Sequence, residues 1–274
     1  MEKKKKVWLY LLIIFLVIAL AGIVLLLWQG QSEKQAKDTL EQTVKTVNEP
    51  VETTEAVLIQ QAETEDALQG IGIPEKNLDW AELKDQNKDI YAWIYVPGTD
   101  VDYPILRHET DNEYYLNHNL DGSEGLPGCI YTEDYNSKDF TDIHTVINGH
   151  NISKGASKGM MFSSLHNFED KDFFAKDNYI FIYTPDKVLV YQVFAAYEYR
   201  AVHLLDNFDY TNEYVYADYL KHIYETTDRV ANVRNDIAVT TEDKILTLST
   251  CTSDHDSDLR FLVTGVLLNK DAAE

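Results

Sequence analysis

The residues at 7–28, close to the N-terminus, form an apolar run without a single charged side chain. An α-helix rises about 1.5 Å per residue, so this run reaches roughly 33 Å, enough to cross the hydrocarbon core of a bilayer. Four consecutive lysines, Lys3 to Lys6, lie directly before it. Because basic flanks of a membrane helix stay in the cytoplasm, the sequence predicts a single-pass protein of the cell membrane, with everything after Trp28 extracellular.

A cleaved signal peptide is the alternative interpretation of this run. However, the run is longer than the apolar part of a signal peptide, and residues 29–32 make a poor small-residue cleavage site. Trp8, Tyr10 and Trp28 are placed where aromatic side chains anchor a membrane helix at its two interfaces. We therefore predict a retained anchor in contact with membrane lipid.

The charge of the chain is strongly acidic and unevenly distributed. The 274 residues carry a formal net charge of −22, and Lys3 to Lys6 against Glu2 give the N-terminal end +3, which leaves −25 for the remainder. A surface this acidic repels nucleic acid and anionic lipid. Neutral or cationic partners are expected instead, such as peptides bearing free amines, and no nucleic acid.

Composition divides the rest of the chain into two parts. Residues 29–77 are rich in Glu, Gln, Thr, Lys and Ala, with little apolar content outside 57–59. This composition fits either helix or disorder and is typical of a spacer. We expect a cytoplasmic basic tail (1–6), a transmembrane helix (7–28), an extracellular stalk (29–77) and one globular catalytic domain (78–274), whose regular patterns end near Asn269.

The globular part is dominated by short runs of β-branched, aromatic and alternating apolar residues, which predict strands. The predicted strands are 92–96, 101–106, 129–132, 145–148, 179–184, 188–199, 237–239, 244–251 and 261–268. One segment has helical periodicity instead, and Thr211 is placed to cap it. A mainly β fold follows, an all-β barrel with a few connecting helices.

Two cysteines in an extracellular domain first suggest a disulfide between Cys129 and Cys251. The alternative is a catalytic thiol. Cys251 ends a strand in which alternation places Leu246 and Leu248 on one face and the cysteine on the polar face. A nucleophile needs this access to substrate, together with a basic or cationic neighbour that raises its thiolate fraction.

Histidine and arginine candidates for those neighbours lie elsewhere in the sequence. His150 follows a short apolar strand, and Gly149 before it gives the backbone freedom to turn; His144 and His255 are its rivals. Arg260 begins the next strand nine residues after Cys251 and could stabilise an oxyanion, or it could simply pair with the acidic residues of the intervening loop.

These residues resemble the signature segments of the sortase family. The sequence TLSTC at 247–251, followed by Arg260, is similar to the sortase cysteine segment, and INGHN at 147–151 to the histidine segment. WIYVPGTDVDYPI at 93–105 and MFSSL at 161–165 resemble the class B branch in particular. The resemblance spans roughly residues 78–268, and four motifs in the right order are more specific together than alone.

The resemblance implies the eight-stranded sortase β-barrel and a cysteine transpeptidase. It implies that Cys251 attacks the peptide carbonyl, that His150 is the general acid or base and that Arg260 orients or stabilises the substrate. The expected substrates are secreted proteins with an LPXTG-like or NPQTN-like sorting signal, cut after threonine through a thioacyl enzyme. The acyl group then passes to an amine of Gram-positive cell-wall peptidoglycan or to a pilin lysine. No metal or other cofactor is expected.

Two features depart from the family pattern. Cys129 stands where class B relatives more often have serine, and the segment 153–159 after the histidine is longer than usual. Neither removes a catalytic group, and the family interpretation disfavours a disulfide that would silence Cys251. A cysteine peptidase on the same residues and a non-catalytic, membrane-tethered binding domain remain as alternatives.

Overall fold

The computed structural model describes residues 2–49, 68, 70–254, 256 and 258–270, with side chains from residue 7 onward. Its α-helices are α1 (Glu2–Val47), α2 (Trp80–Gln86), α3 (Tyr114–Asn117), α4 (Lys171–Phe174), α5 (Leu204–Asn207) and α6 (Glu213–Glu225), and a 3-10 helix spans Ser163–Glu169. Its strands are β1 (Ile90–Tyr95), β2 (Asp102–Leu106), β3 (Ile130–Tyr131), β4 (His144–Asn148), β5 (Tyr179–Tyr183), β6 (Val188–Arg200), β7 (Ala231–Val233), β8 (Ile245–Cys251) and β9 (Leu259–Leu267).

The strands form a closed barrel. Their order is β5-β1-β2-β3-β4-β8-β9-β6, and β5 pairs again with β6 so that eight strands make a ring, while β7 pairs with β6 beyond the end of β5. Most neighbours are antiparallel, but β2–β3 and β4–β8 are parallel. Closure leaves no free edge within the ring. The predicted eight-stranded barrel is confirmed, and eight of the nine predicted strands are present with ends that differ by two residues at most.

Two hydrophobic cores lie on the two faces of this sheet. The inner face fills the barrel with side chains such as Trp93, Leu246 and Leu248, all fully buried. The outer face of β4, β8 and β9 packs against α6 through a second cluster that includes Val146 and Leu262. Because α5 and α6 cover only part of the outer face, the remainder is open, and this opening positions the site described below.

The ninth predicted strand, 237–239, is wrong. Its backbone is not in a strand ladder: the hydroxyl of Tyr224 on α6 donates to Ile237 O at 2.6 Å and accepts from Val239 N at 3.1 Å, and Ile237 N donates to Arg234 O at 3.2 Å. The outer strand is β7 instead. The predicted helix is present as α6, but its capping residue is Asn212, whose side chain accepts from Tyr214 N.

The first helix continues well beyond the apolar run. Residues 7–28 belong to a helix that is long and apolar enough to cross a membrane, and the same helix extends to Val47. Its C-terminal part lies against the domain: Leu40 and Val47 are buried and belong to the same contact cluster as the barrel interior, which extends beyond the barrel here, and Thr43 donates to Gln86 Oε1 at 2.8 Å. The helical part of the predicted stalk therefore contacts the domain, whereas the apolar residues 57–59 lie outside the described residues.

Candidate active site

The ends of β4 and β8 bring His150 and Cys251 to the same edge of the sheet. These strands are parallel, with Asn148 opposite Ser249, and each site residue lies two positions further along its chain. The register continues past the strands, since Gly149 N donates to Ser249 O at 3.1 Å. Parallel pairing thus places a histidine and a cysteine, 101 residues apart in sequence, beside each other.

Gly149 is required at this edge for space and not for a turn. Its φ is not in the left-handed region, but a Cβ atom there would lie 2.5 Å from Ile130 Cδ1 and 2.8 Å from Phe162 Cδ2. The expectation that Gly149 turns the backbone is therefore corrected. It lets the strand end pass close to the core before the chain continues to His150.

Arg260 reaches the site from the neighbouring strand. In the antiparallel β8–β9 pair the residue opposite Cys251 is Arg260, as the predicted closure of the loop at 252–258 requires. Arg260 is half-buried, and its guanidinium donates one hydrogen bond to Leu259 O at 2.9 Å. The always-charged group is thus held at the strand end where the thiol is exposed.

One cleft of about 390 Å³ contains all three predicted site residues. Its lining residues are Glu113, Leu116, Tyr131, Glu133, Val146, Asn148, Gly149, His150, Ala201, Val202, His203, Leu204, Leu205, Ser249, Thr250, Cys251 and Arg260. One wall is the barrel edge, and the other is the connection around α5. The carboxylates of Glu113 and Glu133 line the cleft and favour a cationic or amine-bearing ligand over an anionic one.

The orientation of the His150 ring is set by a backbone carbonyl. Its Nε2 donates to Leu116 O at 2.7 Å, and Gly128, with φ +69°, lies so close that a Cβ atom there would be 3.2 Å from His150 Cδ2. With Nε2 engaged, Nδ1 is the ring nitrogen available for proton exchange in the cleft. This is the arrangement expected of a general acid or base.

Both cysteines are free thiols, so the disulfide alternative is not what the structure contains. Cys129 is buried, its Sγ lies 3.6 Å from His118 O as a donor, and burial raises the pKa of its thiol. Cys251 is half-buried and lines the cleft. Of the two thiols, Cys251 alone has both access and a cationic neighbour.

Of the two rival histidines, His144 does not line this cleft. His144 is buried on the outer face, its Nε2 bonds the hydroxyl of Thr247 at 2.8 Å, and desolvation lowers its pKa to about 3. It covers part of the polar face of β8, which explains why Thr247 is fully buried although Cys251 is not. His255 lies outside the described residues.

Two polar contacts at the site were missed by sequence reasoning. His203 links α5 to the segment after β3. Its Nδ1 accepts a hydrogen bond from Asp206 N at 2.9 Å, and its Nε2 donates one to Glu133. Behind the thiol, His166 Nε2 lies 3.0 Å from Cys251 O. The spacing of His166 and Glu169 indicates that these two side chains meet on one helical turn, but nothing in the sequence indicates the contact with Cys251.

Comparisons with known proteins bear directly on this arrangement. The family model described as the sortase domain matches residues 94–268. Sortase B of Listeria monocytogenes is 31% identical over 196 residues, covering 69% of this chain and 74% of that protein. The X-ray structure of Clostridium perfringens sortase B matches with a TM-score of 0.57 and 28% identity, covering 69% of this chain and 99% of that one. A Streptococcus pyogenes class B sortase involved in pilus biogenesis matches with a TM-score of 0.56 and 30% identity, covering 69% and 98%.

The family match spans well over half of the sequence, and the chain belongs to the sortase family. The similar proteins that carry this argument are class B enzymes, so this chain is a class B sortase, a cysteine transpeptidase. The resemblance drawn from the motifs is confirmed.

Proposed function

We propose that this transpeptidase uses Cys251, His150 and Arg260 to cut a C-terminal sorting signal after its threonine and to join the shortened protein to an amine. The observation that carries the proposal is the convergence of these three side chains in one cleft. They come from three different strand ends, and the pairing of β4, β8 and β9 holds them together.

In the first half of the reaction, the Cys251 thiolate attacks the carbonyl carbon of the threonine. A C–S bond forms, and the carbonyl electron pair moves to oxygen, where Arg260 stabilises the oxyanion. The oxyanion then collapses, the C–N bond breaks, and His150 gives a proton to the leaving amine. The product is a thioester between the substrate and Cys251.

In the second half, an amine attacks the thioester carbon. His150 accepts the proton that the amine releases, and the C–S bond breaks to return the thiolate of Cys251. The carboxylates Glu113 and Glu133 in the cleft lining support an amine as the second substrate, because they attract its cationic form to the site. The protein is thereby joined through a new amide.

The acceptor is proposed to be an amine of cell-wall peptidoglycan or a pilin lysine. The Streptococcus pyogenes relative is involved in pilus biogenesis. The pilin lysine is therefore proposed as an alternative acceptor to the stem or cross-bridge amine of peptidoglycan. The donors are secreted proteins with LPXTG-like or NPQTN-like signals. The apolar helix at 7–28 is proposed to anchor the enzyme, with Lys3 to Lys6 cytoplasmic and the catalytic domain extracellular.

The test uses the full chain in detergent micelles with quenched peptides that carry each type of signal, with and without an amine acceptor. Wild type is compared with Cys251→Ala and with the matched control Cys129→Ala. We expect an amine-joined product and a thioester adduct by mass spectrometry in wild type and Cys129→Ala, and neither in Cys251→Ala. If the peptide is hydrolysed at the same rate with and without the amine, the protein is a cysteine peptidase and the proposal is wrong. Absence of any adduct would favour a binding domain.

A further inference from the structure

Next to Cys251, a small polar group outside the described lining of the cleft links the 3-10 helix, the loop after His150 and the end of β8. His166 on the 3-10 helix has its Nδ1 2.6 Å from Glu169 Oε1 and its Nε2 3.0 Å from Cys251 O. Asn151 Nδ2 lies 3.0 Å from His166 Nε2 and donates to Thr252 O at 3.1 Å. We call Asn151, His166 and Glu169 the brace. It holds the main chain of Cys251 and of the residue after it.

The residues of the brace are adjacent in the chain to each proposed catalytic residue or contact one of its chain neighbours. Asn151 directly follows His150 in the chain. The ring of His166 stacks on Phe261, which directly follows Arg260, with centroids 4.8 Å apart and planes inclined by 25°. A single partly buried imidazole therefore contacts the segments that carry all three groups.

His166 and Asn151 converge on the main chain at the end of β8. Nε2 of His166 lies 3.0 Å from Cys251 O, and Asn151 Nδ2 has Cys251 O within 3.4 Å and Thr252 O within 3.1 Å. On the other side of the ring, Nδ1 of His166 lies 2.6 Å from Glu169 Oε1, which sets the orientation of the imidazole. The end of β8 is thereby tied to the loop after His150 and to the 3-10 helix.

We infer that His166 is a positioning residue that fixes the Cys251 thiol relative to His150 and Arg260; this inference rests on the proposed function of those three residues. His166 is absent from the described lining of the cleft, so it acts through the Cys251 main chain and not on the substrate. A nucleophile displaced by about 1 Å from its productive position can lose about 10²-fold in rate.

The experiment compares His166→Ala, His166→Gln and Glu169→Gln with wild type in the full chain in detergent. His222→Ala is the matched control, because it removes an imidazole that also packs on an aromatic ring, that of Tyr199 at 5.0 Å, but lies on α6. Four quantities are measured: kcat and KM for transpeptidation, the rate at which iodoacetamide alkylates Cys251 at pH 7, and the melting temperature.

For His166→Ala we expect kcat to fall at least about tenfold with KM within about twofold of wild type, since substrate contacts are intact. Alkylation of Cys251 should slow about threefold or more, because a displaced thiol loses its cationic neighbours and therefore thiolate. Glutamine can donate to Cys251 O, so His166→Gln should recover part of both losses. His222→Ala should behave as wild type.

The inference is overturned if His166→Ala lowers only the melting temperature and leaves kcat and alkylation at the level of His222→Ala, since its role is then structural. If His166→Ala does not fold, His166→Gln and Glu169→Gln decide: equality with wild type in both rates overturns the inference, and reduced kcat at unchanged KM upholds it. A Cys251→Ala enzyme that still joins peptide to amine would overturn the proposed function instead, and alkylation would still decide the role of His166.

Discussion

Cys251 and Arg260 lie directly opposite each other in the antiparallel register of β8 and β9. The loop that joins them is short, so the thiol and the guanidinium are placed by the same hairpin. Any shift of register would separate them, because neighbouring residues on a strand point to opposite faces. The sheet therefore fixes the nucleophile and its cationic neighbour as a unit.

Replacing Arg260 with lysine tests the geometry of this pair. Lysine keeps the charge but loses the planar fork of donors, so an oxyanion held by the guanidinium would be poorly bound. We expect kcat/KM for transpeptidation to fall by about 10²-fold, which peptide assays with product mass spectrometry would measure. Arg200→Lys, at the exposed end of β6 opposite Leu259, is the control. Equal activity of both variants would contradict the proposed role of Arg260.

The two cysteines should differ sharply in reactivity. Cys129 is 3% exposed, and burial raises the pKa of its thiol, so it carries little thiolate at neutral or mildly alkaline pH. At pH 8 we expect iodoacetamide to label Cys251 and to leave Cys129 unlabelled, as peptide mass mapping would determine. In guanidinium chloride both should react. Labelling of native Cys129 at the rate of Cys251 would contradict its burial.

His144 should make the fold sensitive to acid. Its folded pKa of about 3 lies below the value of about 6.5 for an unfolded histidine. Between these values the unfolded chain binds up to one more proton, so the free energy of unfolding falls as pH falls, by up to about 1.4 kcal/mol per pH unit. We expect urea midpoints of His144→Gln, which cannot titrate, to decline less from pH 7 to 4.5 than those of wild type. His222→Gln, exposed on α6, is the control, and identical pH slopes for wild type and His144→Gln would refute the assignment.

The packing of α1 on the barrel should contribute to stability. Leu40 is 3% exposed and belongs to the inner core cluster, so Leu40→Ala leaves a cavity. We expect Leu40→Ala to lower the free energy of unfolding by about 2–4 kcal/mol in a chain that begins at residue 29. Urea denaturation measures this change. Lys45→Ala, on the exposed side of the same helix, should change it by less than about 0.5 kcal/mol. Equal stability of the two variants would mean that α1 does not dock in solution.

The strands could be predicted because each carries its own alternation, and residues 244–251 are a clear case. What could not be predicted is which strands become neighbours. The parallel pairing of β4 with β8 joins residues about a hundred positions apart, and local pattern holds no information about it. His150 and Cys251 were therefore brought together by family resemblance and not by periodicity.

The failures have local physical causes. The segment 237–239 has strand composition, but its Ile237 O and Val239 N form hydrogen bonds with the hydroxyl of Tyr224. Residues 29–47 have the composition of a spacer. The burial of Leu40 and Val47 depends on contacts with distant parts of the chain, which local composition does not indicate. The brace was missed because the spacing of His166 and Glu169 indicates only their own contact, and not that the ring on this 3-10 helix also reaches Asn151 and Cys251.

The contact between α1 and the segment 153–159 has a consequence for where the enzyme can act. Glu33 accepts a hydrogen bond from Ser157 N at 2.9 Å, and it stands five residues, or roughly 8 Å of helix, beyond Trp28. With residues 7–28 in the bilayer, as proposed, the catalytic domain does not swing on a tether but works at a set height close to the lipid surface. Under the proposed function, the two substrates would then have to meet within that thin layer, and a sorting signal held farther out would be beyond its reach.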